Sequence, residues 1–182
     1  MTVPSLHPRI TEIVDALEDA HRELVDVLTN IPQERRDERD AVGRWTIAEH
    51  VEHLAIVEDG AGRLMSKLIK QVEASGARED DTSSLLASLD RFQTWTVRRP
   101  VEAPEFVKPK DGLATSDALA RLTASRERMI AVLKRASGLA LGTVTAPHPL
   151  VGQLNVYQWG LITAHHQRRH IEQIRAIAGF DG

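Results

Sequence analysis

Asn155–Ala178 reads NVYQWGLITAHHQRRHIEQIRAIA, and the reading of this stretch decides the fold. Val156, Trp159, Thr163, His166, His170, Ile174 and Ile177 share one direction when the segment is wound as an α-helix. Asn155 stands where such a helix starts, and Gly179 follows directly on its end. The inward stripe is unusual in carrying two histidines. His166 and His170 are four residues apart, so they lie one turn apart and about 40° apart around the axis. His165 points away, towards the side of Arg168, Glu172 and Arg175, and reads as solvent-facing. One buried histidine is commonly a hydrogen-bonded core residue. Two in ligand register on an apolar face must each be desolvated and satisfied, which points to a metal ion held inside a helical bundle.

Three further helices follow from the same periodicity. Residues 8–30 place Ile10, Ile13, Val14, Leu17, Leu24, Val25 and Leu28 on one stripe, ended by Pro32 and the charged run 33–40. Thr46 is the expected N-cap of a second helix, with Glu49 closing a capping box, and this helix runs to about Ala74. Gly60 and Gly62 weaken its middle or admit a close neighbour. A third helix, capped by Thr115 or Ser116, reaches about Ala136. Between the second and third lies a long crossover, residues 75–113, with a short helix expected over Leu85–Phe92 and prolines at 100, 104 and 109. Such a crossover permits parallel as well as antiparallel neighbours. Gly138, Gly142, Pro147 and Pro149 mark the last connection. The expected fold is an all-α four-helix bundle, with residues 1–182 forming one domain.

Composition narrows the function. The 182 residues are 42% hydrophobic and 27% charged, with a net charge of -3, so the chain lacks the basic excess of a nucleic-acid binder. No stretch approaches the roughly 20 apolar residues of a membrane span, and the N-terminus lacks a signal-peptide core. The expected location is the cytoplasm. There is no cysteine, which excludes disulfides, thiolate metal sites and a cysteine nucleophile. Phosphate-binding loops, the HExxH zinc signature and the GxSxG elbow are all missing.

The second helix offers EHVEHL, with His50 and His53. His50 lies about 30° from the centre of the apolar stripe and His53 about 90° from it, so spacing leaves the third ligand open between them. His21 reads as a core histidine. Glu18 with His21 forms one Glu-x-x-His unit, but a di-iron bundle needs two and no second copy exists. His148 reads as a turn residue beside the mouth of a site, and His7 as part of a mobile end. Trp45 and Trp159 read as buried anchors first and substrate walls second.

Two segments resemble motifs of the DinB-like superfamily. These are WTIAEHVEHL, Trp45–Leu54, and the run from HPLVGQLNVYQW to AHHQRRHIEQI, His148–Ile174. PEFVKPKDG in the crossover is similar in character, so the resemblance spans nearly the whole chain. It implies a four-helix bundle with a long second-to-third crossover and one divalent ion. The ion would be nickel or zinc, with iron or manganese as alternatives. It also implies the ligand set: His53 from the second helix, His166 and His170 from the last. His50, Glu49 and Gln173 then stand behind the ligands as supporting residues.

Three neutral ligands leave a coordination position open, the mark of a catalytic site. Relatives implied by the resemblance include transferases that use low-molecular-weight thiols such as bacillithiol, mycothiol or glutathione. With no cysteine in the chain, the thiol would be a cosubstrate. Arg168 or Arg169 would bind its carboxylate, although both also read as surface charge. A hydrolase is the alternative, with Glu58 as the one candidate base. A non-catalytic metal-binding bundle is another. The partner is a small molecule, and exposed helix faces of such a bundle are compatible with a homodimer.

Overall fold

The computed structural model describes residues 5–36, 45–85, 102–110 and 112–179. Four helices carry the architecture: α1 (Pro8–Thr29), α2 (Ile47–Ser75), α3 (Thr115–Arg135) and α4 (Val156–Ala178). No helix among the described residues is long and apolar enough to cross a membrane.

Helix ends follow local chemistry. The Thr46 hydroxyl accepts the Glu49 backbone N–H, and the Glu49 carboxylate accepts the Thr46 N–H, closing the expected capping box. Asn155 and Gln158 make the same reciprocal pair at the start of α4. Gly76 and Gly179 end α2 and α4 in the left-handed conformation, with φ of 68° and 73°. α3 differs from expectation: its N-cap is Ala114, and Thr115 is already inside the first turn and buried. His7, expected in a mobile end, instead caps α1, its ring Nδ1 accepting the Arg9 backbone N–H while the His7 backbone N–H donates to the Ser137 hydroxyl.

Side-chain partners give the helix directions. Ile13 lies against Gly160 and Glu23 pairs with Arg168 and Arg175, so α1 and α4 run parallel. Glu58 pairs with Arg126 and Glu73 with Arg135, so α2 and α3 are parallel too. His50 meets His170 and His53 meets His166, which makes α2 and α4 antiparallel. The bundle is therefore up-down-down-up. Parallel α2 and α3 need a connection that returns along the bundle, and the chain between Ser75 and Thr115 is long enough to make it. Its described end, with a 3-10 turn at Glu105–Val107, lies against the beginning of α2. The expected helix over Leu85–Phe92 lies outside the described residues except for Leu85, which is buried.

The core forms two apolar clusters. One is centred on Ile13, Met65, Met129 and Tyr157, the other on Leu24, Val51, Leu122 and Ile174. In α1 the stripe includes Val27 rather than the expected Val25. The connection before α4 is a hairpin, β1 (Thr145–His148) paired antiparallel with β2 (Gly152–Asn155). Gly152 occupies a positive φ of 82° at its turn.

Close helix approach falls on a glycine that the sequence did not single out. A Cβ on Gly160 would stand 2.6 Å from Ile13 Cγ2, whereas one on Gly60 would meet nothing within 4 Å. Gly160→Ala is expected to cost about 1–3 kcal/mol through overpacking. Gly60→Ala is expected to gain about 0.5–1 kcal/mol from helix propensity. Urea midpoints that move in opposite directions would bear this out. Equal midpoints would refute the tight α1–α4 seam.

Candidate metal centre

The beginning of α2 is enclosed on every side. Val51, Glu52, His53, Leu54 and Ala55 are consecutive and all buried, which a one-sided amphipathic helix does not do. The crossover supplies the second cover. The Glu52 carboxylate accepts the N–H groups of Lys110 at 2.7 Å and Leu113 at 3.4 Å. One turn of chain away, the Val107 carbonyl stands 2.7 Å from His53 Nδ1.

A carbonyl only accepts, so Nδ1 of His53 carries the proton and Nε2 of the neutral ring presents its lone pair. That Nε2 lies 3.3 Å from His166 Nε2, and His170 Nε2 lies 3.2 Å from the same atom. Ligand atoms of His53, His166 and His170 all fall within 4.8 Å of one another. Among the described residues no carboxylate joins this group.

These residues fit a metal ion. Nitrogens sharing a tetrahedral ion at about 2.0–2.1 Å stand about 3.3 Å apart, close to both measured separations. Without a cation, His166 Nε2 has a single in-plane position, a proton or a lone pair, so it makes one hydrogen bond and its second close nitrogen contact is left unsatisfied. A cation between them satisfies all three rings. Burial pushes the His166 imidazole down to about 3, helped by the charges of His53, Arg169 and His148. Burial, then His166 and the neighbouring histidines, holds His170 well below the ordinary value. Burial also lowers His53, opposed by its bond to Val107. Three rings kept neutral at neutral pH are three available donors.

His50 takes a place behind the trio. Its Nδ1 lies 2.8 Å from Nδ1 of His170. If His170 offers Nε2 to an ion, its Nδ1–H donates to His50, which fixes the orientation of the ring. Trp45 is half-buried and walls the cluster, its ring centroid 4.7 Å from His53 and 5.6 Å from His50. Glu49 holds the helix cap with one carboxylate oxygen. Gln173 has a shielded Oε1 without a hydrogen-bond partner among the described residues.

Other candidates fall elsewhere. His21 bonds Thr123 across the α1–α3 seam, and Glu18 pairs with Lys134, so the two share no site. Burial, then Arg126, lowers His21 to about 4. His165 is half-buried rather than open. Arg168 pairs with Glu23 of α1 at 3.9 Å. His148, read as a turn residue, ends β1 with its ring 5.1 Å from that of Trp159 and its charge felt by His166.

Glu58 is not a free base. It forms a bidentate pair with Arg126 at 2.6 and 2.7 Å, and both side chains are 3% exposed. Arg126 also donates to the Leu17 carbonyl and to Gln167 Oε1. Gln167 follows His166 directly, so this ionic knot braces α4 beside the histidines.

The family model described as the DinB superfamily matches residues 16–174. The chain belongs to the DinB superfamily. It is 24% identical over 160 residues to the uncharacterized protein YuaE of Bacillus subtilis (strain 168), covering 87% of this chain and 93% of that protein. The solved structure described as TT2238, a four-helix bundle protein, aligns with a TM-score of 0.63 at 20% identity. That alignment covers 92% of this chain and 98% of the other, and it shows likeness of fold. In this DinB-superfamily chain the three histidines meet where α2, α4 and the crossover converge.

Proposed function

We propose that the protein binds one divalent ion on His53, His166 and His170 and transfers a low-molecular-weight thiol to an electrophilic small molecule. The observation that carries the reading is the convergence of three neutral imidazoles, which no carboxylate joins among the described residues. Imidazole donors suit zinc or nickel among the common divalent ions. A bound ion of this kind supplies Lewis acidity, which favours the thiolate form of a thiol near neutral pH. The chain contributes the rest. His53 is held by Val107, His170 by His50, and the wall of Trp45 limits access of water.

With no cysteine in the chain, the sulfur belongs to the cosubstrate. Its proton leaves to solvent, its electron pair forms the carbon–sulfur bond, and the leaving group departs with the pair from the broken bond. The hydrolase alternative would want a positioned carboxylate base, and Arg126 occupies Glu58.

The test uses untagged protein with its metal content measured. Glutathione, mycothiol and bacillithiol are each offered with a chlorodinitrobenzene, and chloride release and thioether formation are followed. Turnover is expected only with both metal and thiol, and chelation should abolish it. Turnover without a thiol would replace transfer with hydrolysis.

A further inference from the structure

α4 carries Trp159 on the same face as the histidines. Trp159 precedes His166 by seven residues, two turns, so its backbone lies about 10 Å along the axis on the same side. Its side chain is 9% exposed, and its Nε1 is shielded without an acceptor among the described residues. An indole N–H removed from water and left unpaired costs free energy, so a buried one ordinarily has a partner. Beside the indole stands His148, with its ring centroid 5.1 Å from that of Trp159. Trp159, on the face of α4 that carries His166, therefore meets the hairpin through His148.

Phe106 and Leu150 are the exposed large hydrophobic residues among those described, at 70% and 46% exposure. Phe106 adjoins Val107, which accepts from His53, and the Leu150 N–H donates to His148 Nδ1 at 3.2 Å. A single exposed apolar side chain needs no explanation. Two, each one covalent or hydrogen-bonded step from a residue of the site, put exposed apolar surface on both the crossover and the hairpin beside it.

We propose that Trp159 and His148 form the subsite for the electrophile, a small molecule with an apolar body and an acceptor oxygen that receives the Trp159 Nε1–H. The inference deepens the transferase reading and rests on the histidine cluster being the reactive centre. Trp159 is a specificity residue here, since it touches the substrate away from the reacting atoms.

The test needs no turnover. Full-length, zinc-loaded protein with ¹⁵N-labelled tryptophan gives indole N–H signals from Trp45, Trp95 and Trp159. Trp159→Phe assigns its own signal, and if that variant does not fold, Trp45→Phe and Trp95→Phe assign it by elimination. Acetophenone is the probe, and ethylbenzene is its counterpart without an oxygen. Acetophenone is expected to move the Trp159 signal and to bind Trp159→Phe about three- to tenfold more weakly, the scale of one neutral hydrogen bond. Ethylbenzene should bind both proteins alike. An unmoved signal, equal acetophenone affinities, or no binding up to the probe's solubility overturns the subsite. Zinc content is read on the same samples. Zinc bound with a silent indole defeats the subsite alone, and absent zinc defeats the metal reading instead.

Discussion

His53→Ala is expected to empty the site, lowering bound zinc from about one ion per chain to near zero. His166→Ala and His170→Ala should do the same, because removing any one donor leaves two. His50→Ala is expected to behave differently. It removes the acceptor behind His170 and should weaken zinc by about 10–100-fold without abolishing it, the usual scale for an orienting partner. Elemental analysis after gel filtration separates the two classes, and competition with a chelator measures the His50 effect. The two positions on α2 are only three residues apart. Loss of zinc in His50→Ala with retention in His53→Ala would reverse their roles and overturn the site as proposed.

Arg126→Met should destabilise the bundle by about 3–5 kcal/mol, since it leaves the Glu58 carboxylate buried without its partner. Leu17 and Gln167 lose a donor in the same change. The cost should depend on pH. In the intact protein, burial raises Glu58 above its ordinary value of 4.5, and Arg126 opposes the rise. Removing the guanidinium leaves burial unopposed, so the folded variant holds its proton to higher pH than the unfolded chain does. Stability relative to wild type is therefore best at low pH and falls as pH rises past 4.5. Adding Glu58→Leu should recover most of the loss, because an apolar pair often replaces a buried ion pair without penalty. Urea denaturation at several pH values checks all three statements. A flat pH response would refute the account.

Legibility in the sequence tracked whether the cause was local. The helix of His166 and His170 has its stripe, its cap and its terminal glycine within one contiguous segment, and each lies where periodicity placed it. His53 was different. At the edge of the apolar stripe it reads as half-exposed, and it becomes buried because a segment some fifty residues later in the chain folds over it. Wheel arithmetic knows only the helix, so the choice between His50 and His53 came from resemblance. Glu52 was missed for the same reason, since its partners are backbone N–H groups of the crossover. In the sequence Glu58 reads as a candidate base and nothing marks Arg126 as its partner, because only the parallel packing of α2 and α3 brings them together. The short hairpin hid behind glycines and prolines that signal a loop equally well.

The donors also arrive at different times. His53 and His166 are 113 positions apart, and the carbonyl that orients His53 belongs to a third segment between them. A chain emerging from the ribosome displays His53 long before His166 and His170 exist. Metal captured at that stage would meet an incomplete shell and bind weakly. In the site as proposed, loading would follow completion of the last helix, so that a bound ion would mark a finished fold.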